Sequence, residues 1–203
     1  MATYTSGMTF SKHDDYMTPY SAWEAIAKFI PGTMAWDDDE MMNNGGKPTI
    51  WDPFYGDGES KEHLAMLGVD YDLIHHEDVD FFSESATDFL HDWTTQHNTV
   101  IVTNPPFSKI PAVLTKLKQM GLPFIMIMPS AKICTQYFRK TFAKDEDPIQ
   151  LIIPRKRIQF IRKLWCDECQ EYHNDETAIK ACNFDCFYYC WKMGLERDII
   201  WLE

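Results

Sequence analysis

Apolar residues in this chain gather in short runs separated by polar, turn-forming stretches. Six runs have the length and the β-branched or aromatic content of strands: Thr49–Phe54, Val69–Ile74, Thr99–Thr103, Pro123–Met128, Gln150–Ile153 and Asp185–Trp191. Between them, helix-like segments lie at 20–30, 59–67, 83–93, 109–120 and 131–142. Strands alternating with helices predict an α/β fold, a mostly parallel sheet with helices on both faces. Ligands of such open sheets sit beyond the carboxyl ends of the strands, so residues just past each run carry the chemistry.

The run Val100-Ile101-Val102 stops at Thr103-Asn104-Pro105-Pro106-Phe107. The two prolines lack backbone N–H groups and fix φ, which ends the strand in a stiff tip. That tip offers an asparagine amide, the Pro105 carbonyl and an aromatic face. Two acceptors and a ring suit a flat molecule bearing an amino group.

About fifty residues upstream, Thr49-Ile50-Trp51 runs into Asp52-Pro53-Phe54-Tyr55-Gly56-Asp57-Gly58 and then a helical segment. Strand, glycine turn and helix form a context in which backbone approaches a cofactor, with Gly56 and Gly58 supplying φ freedom. GxGxxG is absent, and no Gly-Lys-Ser/Thr follows. The leading aspartate points away from phosphate and toward a cationic or hydroxyl-rich ligand.

In this order and spacing the two motifs resemble the class I S-adenosylmethionine-dependent methyltransferases that modify exocyclic amino groups. DPFYGDG is similar to that family's cofactor loop and NPPF to its catalytic tetrapeptide. Tyr16-Met17-Thr18-Pro19, ahead of Trp23, Ile26, Ala27 and Ile30, is similar to its N-terminal cofactor wall. Asp78-Val79-Asp80-Phe81-Phe82 resembles the DFF of phage-type and cap-adenosine N6 methyltransferases. The resemblance spans roughly residues 15 to 160 and a final strand.

It implies a Rossmann-like class I methyltransferase fold in one domain, its sheet closed by an antiparallel pair around Ile152 and Phe187. The implied reaction moves a methyl group from S-adenosyl-L-methionine to N6 of adenine in DNA. Asn104, Pro105, Pro106 and Phe107 would be catalytic. Tyr16, Thr18, Pro19, Asp52, Pro53, Phe54, Gly56 and Gly58 would hold the cofactor, joined by Asp78 or Asp80. Alternatives within the same resemblance are an RNA or cap-adenosine enzyme, a glutamine methyltransferase, and a non-catalytic subunit that binds nucleic acid.

Charge changes the picture only when mapped. Net charge is −12, and hydrophobic residues make up 45% of the chain. Residues 1–100 hold 4 Lys/Arg against 19 Asp/Glu, a balance of −15, whereas 101–203 hold 15 against 12, a balance of +3. A polyanion needs a local positive field rather than a positive total. Lys109, Arg139, Lys140, Arg155, Lys156 and Arg157 are the expected nucleic-acid contacts. Only about 45 residues separate the two motifs, which leaves no room between them for a recognition domain. Either sequence specificity is low, or a second subunit supplies it, be it another copy of the chain or a specificity partner. With no leader-like or membrane-spanning stretch, the expected setting is the cytoplasm.

Most of the cysteines fall late, in and after a segment at about 162–183 that reads as a small insertion. Cys166 and Cys169 have CxxC spacing, His173 follows by four residues and Cys182 by thirteen from Cys169. Such a set suits one tetrahedral zinc ion. The competing reading is that thiols in the apolar Cys182–Cys190 stretch pack as small hydrophobes.

Overall fold

A computed structural model of the chain describes residues 16–36, 48–83, 98–169, 171–174 and 184–203. In chain order the strands are Tyr16–Met17 (β1), Thr49–Trp51 (β2), Ile74–His75 (β3), Thr99–Thr103 (β4), Phe124–Pro129 (β5), Gln150–Ile153 (β6), Ile161–Cys166 (β7), Glu171–Asn174 (β8), Cys186–Trp191 (β9) and Ile199–Trp201 (β10). The α-helices are Tyr20–Glu24 (α1), Glu59–Met66 (α2), Ile110–Met120 (α3) and Gln136–Phe142 (α4).

Seven strands form one sheet in the order β10-β6-β9-β5-β4-β2-β3. Neighbours are parallel except where β9 inserts, antiparallel, between β5 and β6. The predicted α/β class and late antiparallel strand are therefore present. Successive residues of β4 and β5 point to opposite faces, and both faces are buried, which is why these strands read as continuous apolar runs. Val100, Val102, Ile125 and Ile127 pack with Trp23, Ile26 and Leu64 on the side of α1 and α2. Ile101, Phe124, Met126 and Met128 pack with Val113, Leu114, Leu117, Phe138 and Phe142 on the side of α3 and α4.

Several elements depart from the sequence expectation, beginning with β2, which ends at Trp51 rather than Phe54. The helix over 20–30 is cut into α1 and a 3-10 turn at Ala27–Phe29, because Ile26 between them leaves helical geometry at φ −116°. The strand expected at Val69–Ile74 shrinks to β3, since the Asp70 side chain accepts from the Asp72 N–H and holds Tyr71–Leu73 in a 3-10 turn. The helix over 131–142 likewise begins as a 3-10 turn at Ser130–Cys134. The sequence runs announce none of β1, β7, β8 and β10, of which β10 adds a parallel edge to β6. The helix expected over 83–93 lies outside the described residues apart from its first position.

β1, β7 and β8 make a second, antiparallel sheet. The segment read as an insertion at about 162–183 is, over 161–174, a hairpin whose first strand pairs with the N-terminal run, Tyr16 opposite Arg162 and Met17 opposite Ile161. No helix among the described residues is long and apolar enough to cross a membrane.

Candidate active site

The sheet changes winding direction between β2 and β4. From β2 the chain crosses to β3 on one side, and later it enters β4 on the other side and proceeds to β5. A crevice for ligand opens at such a reversal, beyond the carboxyl ends of the two strands. Asp52 is the first residue after β2, and Asn104 the first after β4.

Asp52 is only 2% exposed. Its Oδ1 accepts from Thr103 Oγ1 at 2.5 Å and from the Phe54 N–H at 3.2 Å. His76 Nδ1 lies 3.1 Å from the Asp52 carbonyl oxygen and 3.8 Å from Oδ2. Burial pushes the Asp52 carboxyl above its ordinary range, and His76, Thr103, Phe54 and Ser60 offset that only in part. The Thr103–Asp52 bond ties the glycine-turn motif to the residue preceding NPPF.

Asn104 Oδ1 is buried and has no hydrogen-bond partner among the described residues. Leaving a buried acceptor so costs about 1–3 kcal/mol, and a bound donor removes that cost. Pro105 and Pro106 are buried. The Pro106 carbonyl accepts from the Lys109 N–H at 3.0 Å, turning the chain into α3 with Pro111 in its first turn. Phe107 is half-buried and meets Phe184 edge-on at 5.4 Å and Phe160 at 6.0 Å. The Tyr16 ring closes on Phe184 at 6.4 Å, again edge-on.

Family models, curated proteins and solved structures yield no match to this chain. The site therefore rests on its own geometry.

The glycine turn bends as its sequence requires. Gly56 and Gly58 take left-handed φ values of 59° and 83°. A Cβ on Gly58 would sit 2.8 Å from Tyr55 Oη, so the bare backbone gives the Tyr55 ring its place across the loop. That ring stacks on His76 at 5.0 Å. Pro53 and Phe54 are buried, with Phe54 against Phe81 at 4.9 Å. Gly58→Ala is expected to lose roughly 1–2 kcal/mol from the left-handed backbone alone. Calorimetry should register that as a fall in melting temperature of about 2–4 °C per kcal/mol.

At the N-terminal motif, Thr18 is buried, and the Pro19 carbonyl accepts from the Ala22 N–H at 2.9 Å to open α1. The Tyr20 ring meets His63 of α2 edge-on at 5.9 Å. This motif thus reaches from the aromatic cluster at Phe107 to the helix that follows the glycine turn.

The two aspartates of the DFF-like stretch part company. Asp80 Oδ1 accepts from the Phe82 N–H at 2.9 Å, and its carbonyl accepts from Ser83 Oγ at 2.7 Å, so Asp80 shapes the turn. Phe81 is core, and its carbonyl accepts from Lys116 Nζ. Asp78 is exposed to solvent, though partial burial raises its carboxyl.

The basic residues do not form one patch. Lys109 stands at the start of α3, two positions beyond Phe107. Arg155, Lys156 and Arg157 are exposed, follow β6 and border an open cleft of about 390 Å³ with Ser21 and Gln159. Arg157 Nε is paired with Asp185 Oδ1 at 2.7 Å. Arg139 and Lys140 lie in the last turn of α4, and Lys140 shares its cleft with Gly121 and Lys192. That is the opposite, amino end of β5, where Phe124 pairs with Trp191. The expected contacts are therefore split, and only Lys109 and Arg155–Arg157 share an edge with Asn104.

At the hairpin tip, the ligand atoms of Cys166, Cys169 and His173 all lie within 4.8 Å of one another. Cys169 Sγ is 2.9 Å from His173 Nε2. The Cys166 thiol is pulled below its usual range by the Cys169 backbone N–H, then by the Cys169 side chain and the Glu168 N–H. Cys182 lies outside the described residues. Cys186 and Cys190 are buried in β9, where burial holds the Cys190 thiol far above its usual range.

Three groups of site residues escaped sequence reasoning. Phe160 and Phe184 wall Phe107 from distant parts of the chain, and no spacing links them. Thr103 reads as the end of a strand, with nothing to mark its hydroxyl as a bridge. His76, in the turn that follows β3, stacks with Tyr55 and faces Asp52.

Proposed function

We propose that this chain transfers a methyl group from S-adenosyl-L-methionine to the N6 amino group of adenine in DNA. The buried, unpartnered Asn104 Oδ1 carries the reading, one residue past the hydroxyl that bonds Asp52 at the switch point. An asparagine oxygen held there without a partner is suited to a donor that arrives with the substrate. The strand order β3-β2-β4-β5-β9-β6, with only β9 reversed, supports a class I methyltransferase arrangement.

The glycine turn and its neighbours fit the cofactor. Gly56 and Gly58 bend the turn through left-handed backbone, Asp52 offers negative charge, and Thr18 and Pro19 would close from the N-terminal side. Bound there, S-adenosyl-L-methionine supplies an electrophilic methyl group on its sulfonium. The protein's own task is to ready the nucleophile. Asn104 Oδ1 and the Pro105 carbonyl accept the two amino hydrogens, which favours a pyramidal nitrogen whose lone pair is no longer spread into the ring. The proton leaves only after the nitrogen has become cationic, so an amide suffices where a strong base is otherwise needed. Phe107 stacks on the base, and Phe160 and Phe184 brace its ring edge-on. A base in a duplex must be flipped out at a cost of a few kcal/mol, less in a single strand. Lys109 and Arg155–Arg157, at the same end of the sheet as Asn104, would meet the flanking phosphates.

Incubation with methyl-labelled cofactor and matched DNA, RNA and protein substrates tests this. Label recovered as N6-methyladenine in DNA is expected. Label confined to RNA or to a glutamine side chain, or no incorporation at all, would overturn it.

A further inference from the structure

Beyond the strand ends, the most developed constellation of ligand atoms is at the tip of the β7–β8 hairpin. We infer that Cys166, Cys169 and His173 bind one zinc ion that staples this hairpin. The inference stands apart from the methyltransferase reading.

Register brings the three residues together. Cys166 pairs with Glu171 at the last rung and Leu164 with His173 two residues below. Residues directly opposite share a face, as do residues two apart on one strand. Cys166 and His173 are therefore diagonal neighbours on one face, and the turn carries Cys169 back over them. Their donor atoms fall within 4.8 Å of one another. A tetrahedral ion with Zn–S of about 2.3 Å and Zn–N of about 2.0 Å places such donors about 3.5–3.8 Å apart. The site closes with shifts of about 1 Å in side chains that are exposed or half-buried, the 2.9 Å Cys169–His173 contact opening to admit the ion. Two thiolates and an imidazole favour zinc over the oxygen-seeking magnesium and calcium. A fourth ligand, water or a side chain, would complete the tetrahedron.

The hairpin gives such an ion a purpose. A two-stranded ribbon is marginal by itself, and among the described residues the third strand, β1, contributes Tyr16 and Met17 alone. Cys166 and Cys169 are not held in an apolar interior that would account for them, unlike Cys186 and Cys190. At its base the hairpin begins one residue after Phe160 and holds Tyr16 by pairing with Arg162. Zinc at the tip thus orders a ribbon whose root carries two rings of the aromatic cluster around Phe107.

The test is metal binding by the full chain, read without any activity assay. Purified protein is expected to carry zinc at one ion per chain by elemental analysis. Replacement with Co²⁺ should give the strong visible d–d bands of a tetrahedral site and sulfur-to-cobalt charge transfer in the near ultraviolet. Cys169→Ser and His173→Ala should each weaken Co²⁺ binding by about 10-fold or more, while Cys134→Ser, remote in sequence, leaves it unchanged. Chelator should open the hairpin to trypsin after Arg162 or Lys163, with the seven-stranded sheet unaffected by circular dichroism. Absence of both metals, six-coordinate cobalt spectra, equal affinity in Cys169→Ser, or a Cys166–Cys169 disulfide in the reduced cytosol-like buffer would each overturn the site.

Discussion

Asn104→Ala should abolish methyl transfer while leaving the fold and cofactor affinity intact. Under the proposed mechanism the Asn104 oxygen is one of two acceptors that localise the nitrogen lone pair. Losing a preorganised polar contact to the reacting centre typically costs about 10²–10³ in kcat, roughly 3–4 kcal/mol. The fold should not suffer, because the oxygen being removed is buried without a partner and so makes no net contribution to stability. The expected melting temperature is equal to the parent's or higher. Single-turnover transfer, calorimetric cofactor binding and thermal unfolding measured together decide the matter. Unchanged turnover removes the central role given to Asn104, and a large drop in stability shows its oxygen to be structural.

Asp52→Asn should separate function from stability in the opposite sense. The carboxyl is almost fully enclosed, and burial lifts its pKa above the ordinary 3.8 despite His76, Thr103 and Phe54. A carboxyl whose folded pKa is raised holds its proton more tightly in the fold than in the unfolded chain. The corresponding stability is complete below the unfolded pKa and is lost as pH rises through the folded one. The parent protein should therefore lose stability across that window, and Asp52→Asn should not. Asparagine still accepts from Thr103 Oγ1, so the bond joining the two motifs survives. The gain in melting temperature over the parent is expected to widen from pH 4 to pH 8. Cofactor affinity should fall about tenfold or more, since the cationic ligand loses its buried counter-charge. A variant that is less stable at every pH would show that the charge itself supports the fold.

Much of this site was legible in the chain. β4 and β5 announce themselves because both of their faces are buried, and a strand enclosed on both sides reads as an unbroken apolar run. Gly56 and Gly58 announce the turn because left-handed backbone favours a residue without Cβ. Both signals are local, so sequence carries them. Elements governed by competition were misread: Val69–Ile74 has strand composition, yet Asp70 diverts its first residues into a 3-10 turn. Sequence grouped Arg139 and Lys140 with Lys109 and Arg155–Arg157 as nucleic-acid contacts, but α4 runs back along β5 and delivers Lys140 to the far end of the sheet.

The sequence by itself thus determined the strand ends, their turn chemistry and the residue types placed there. Tertiary structure alone decided which of these meet. Thr103 and Asp52, 51 residues apart, bond because β2 and β4 lie parallel and adjacent, and parallel pairing is set by a crossover that no local pattern encodes. Hairpin register likewise brings His173 to Cys166, and an edge pairing sets Tyr16 near Phe184. Local propensity acts over a few residues, whereas a site at a switch point is built from contacts whose sequence separation exceeds that range.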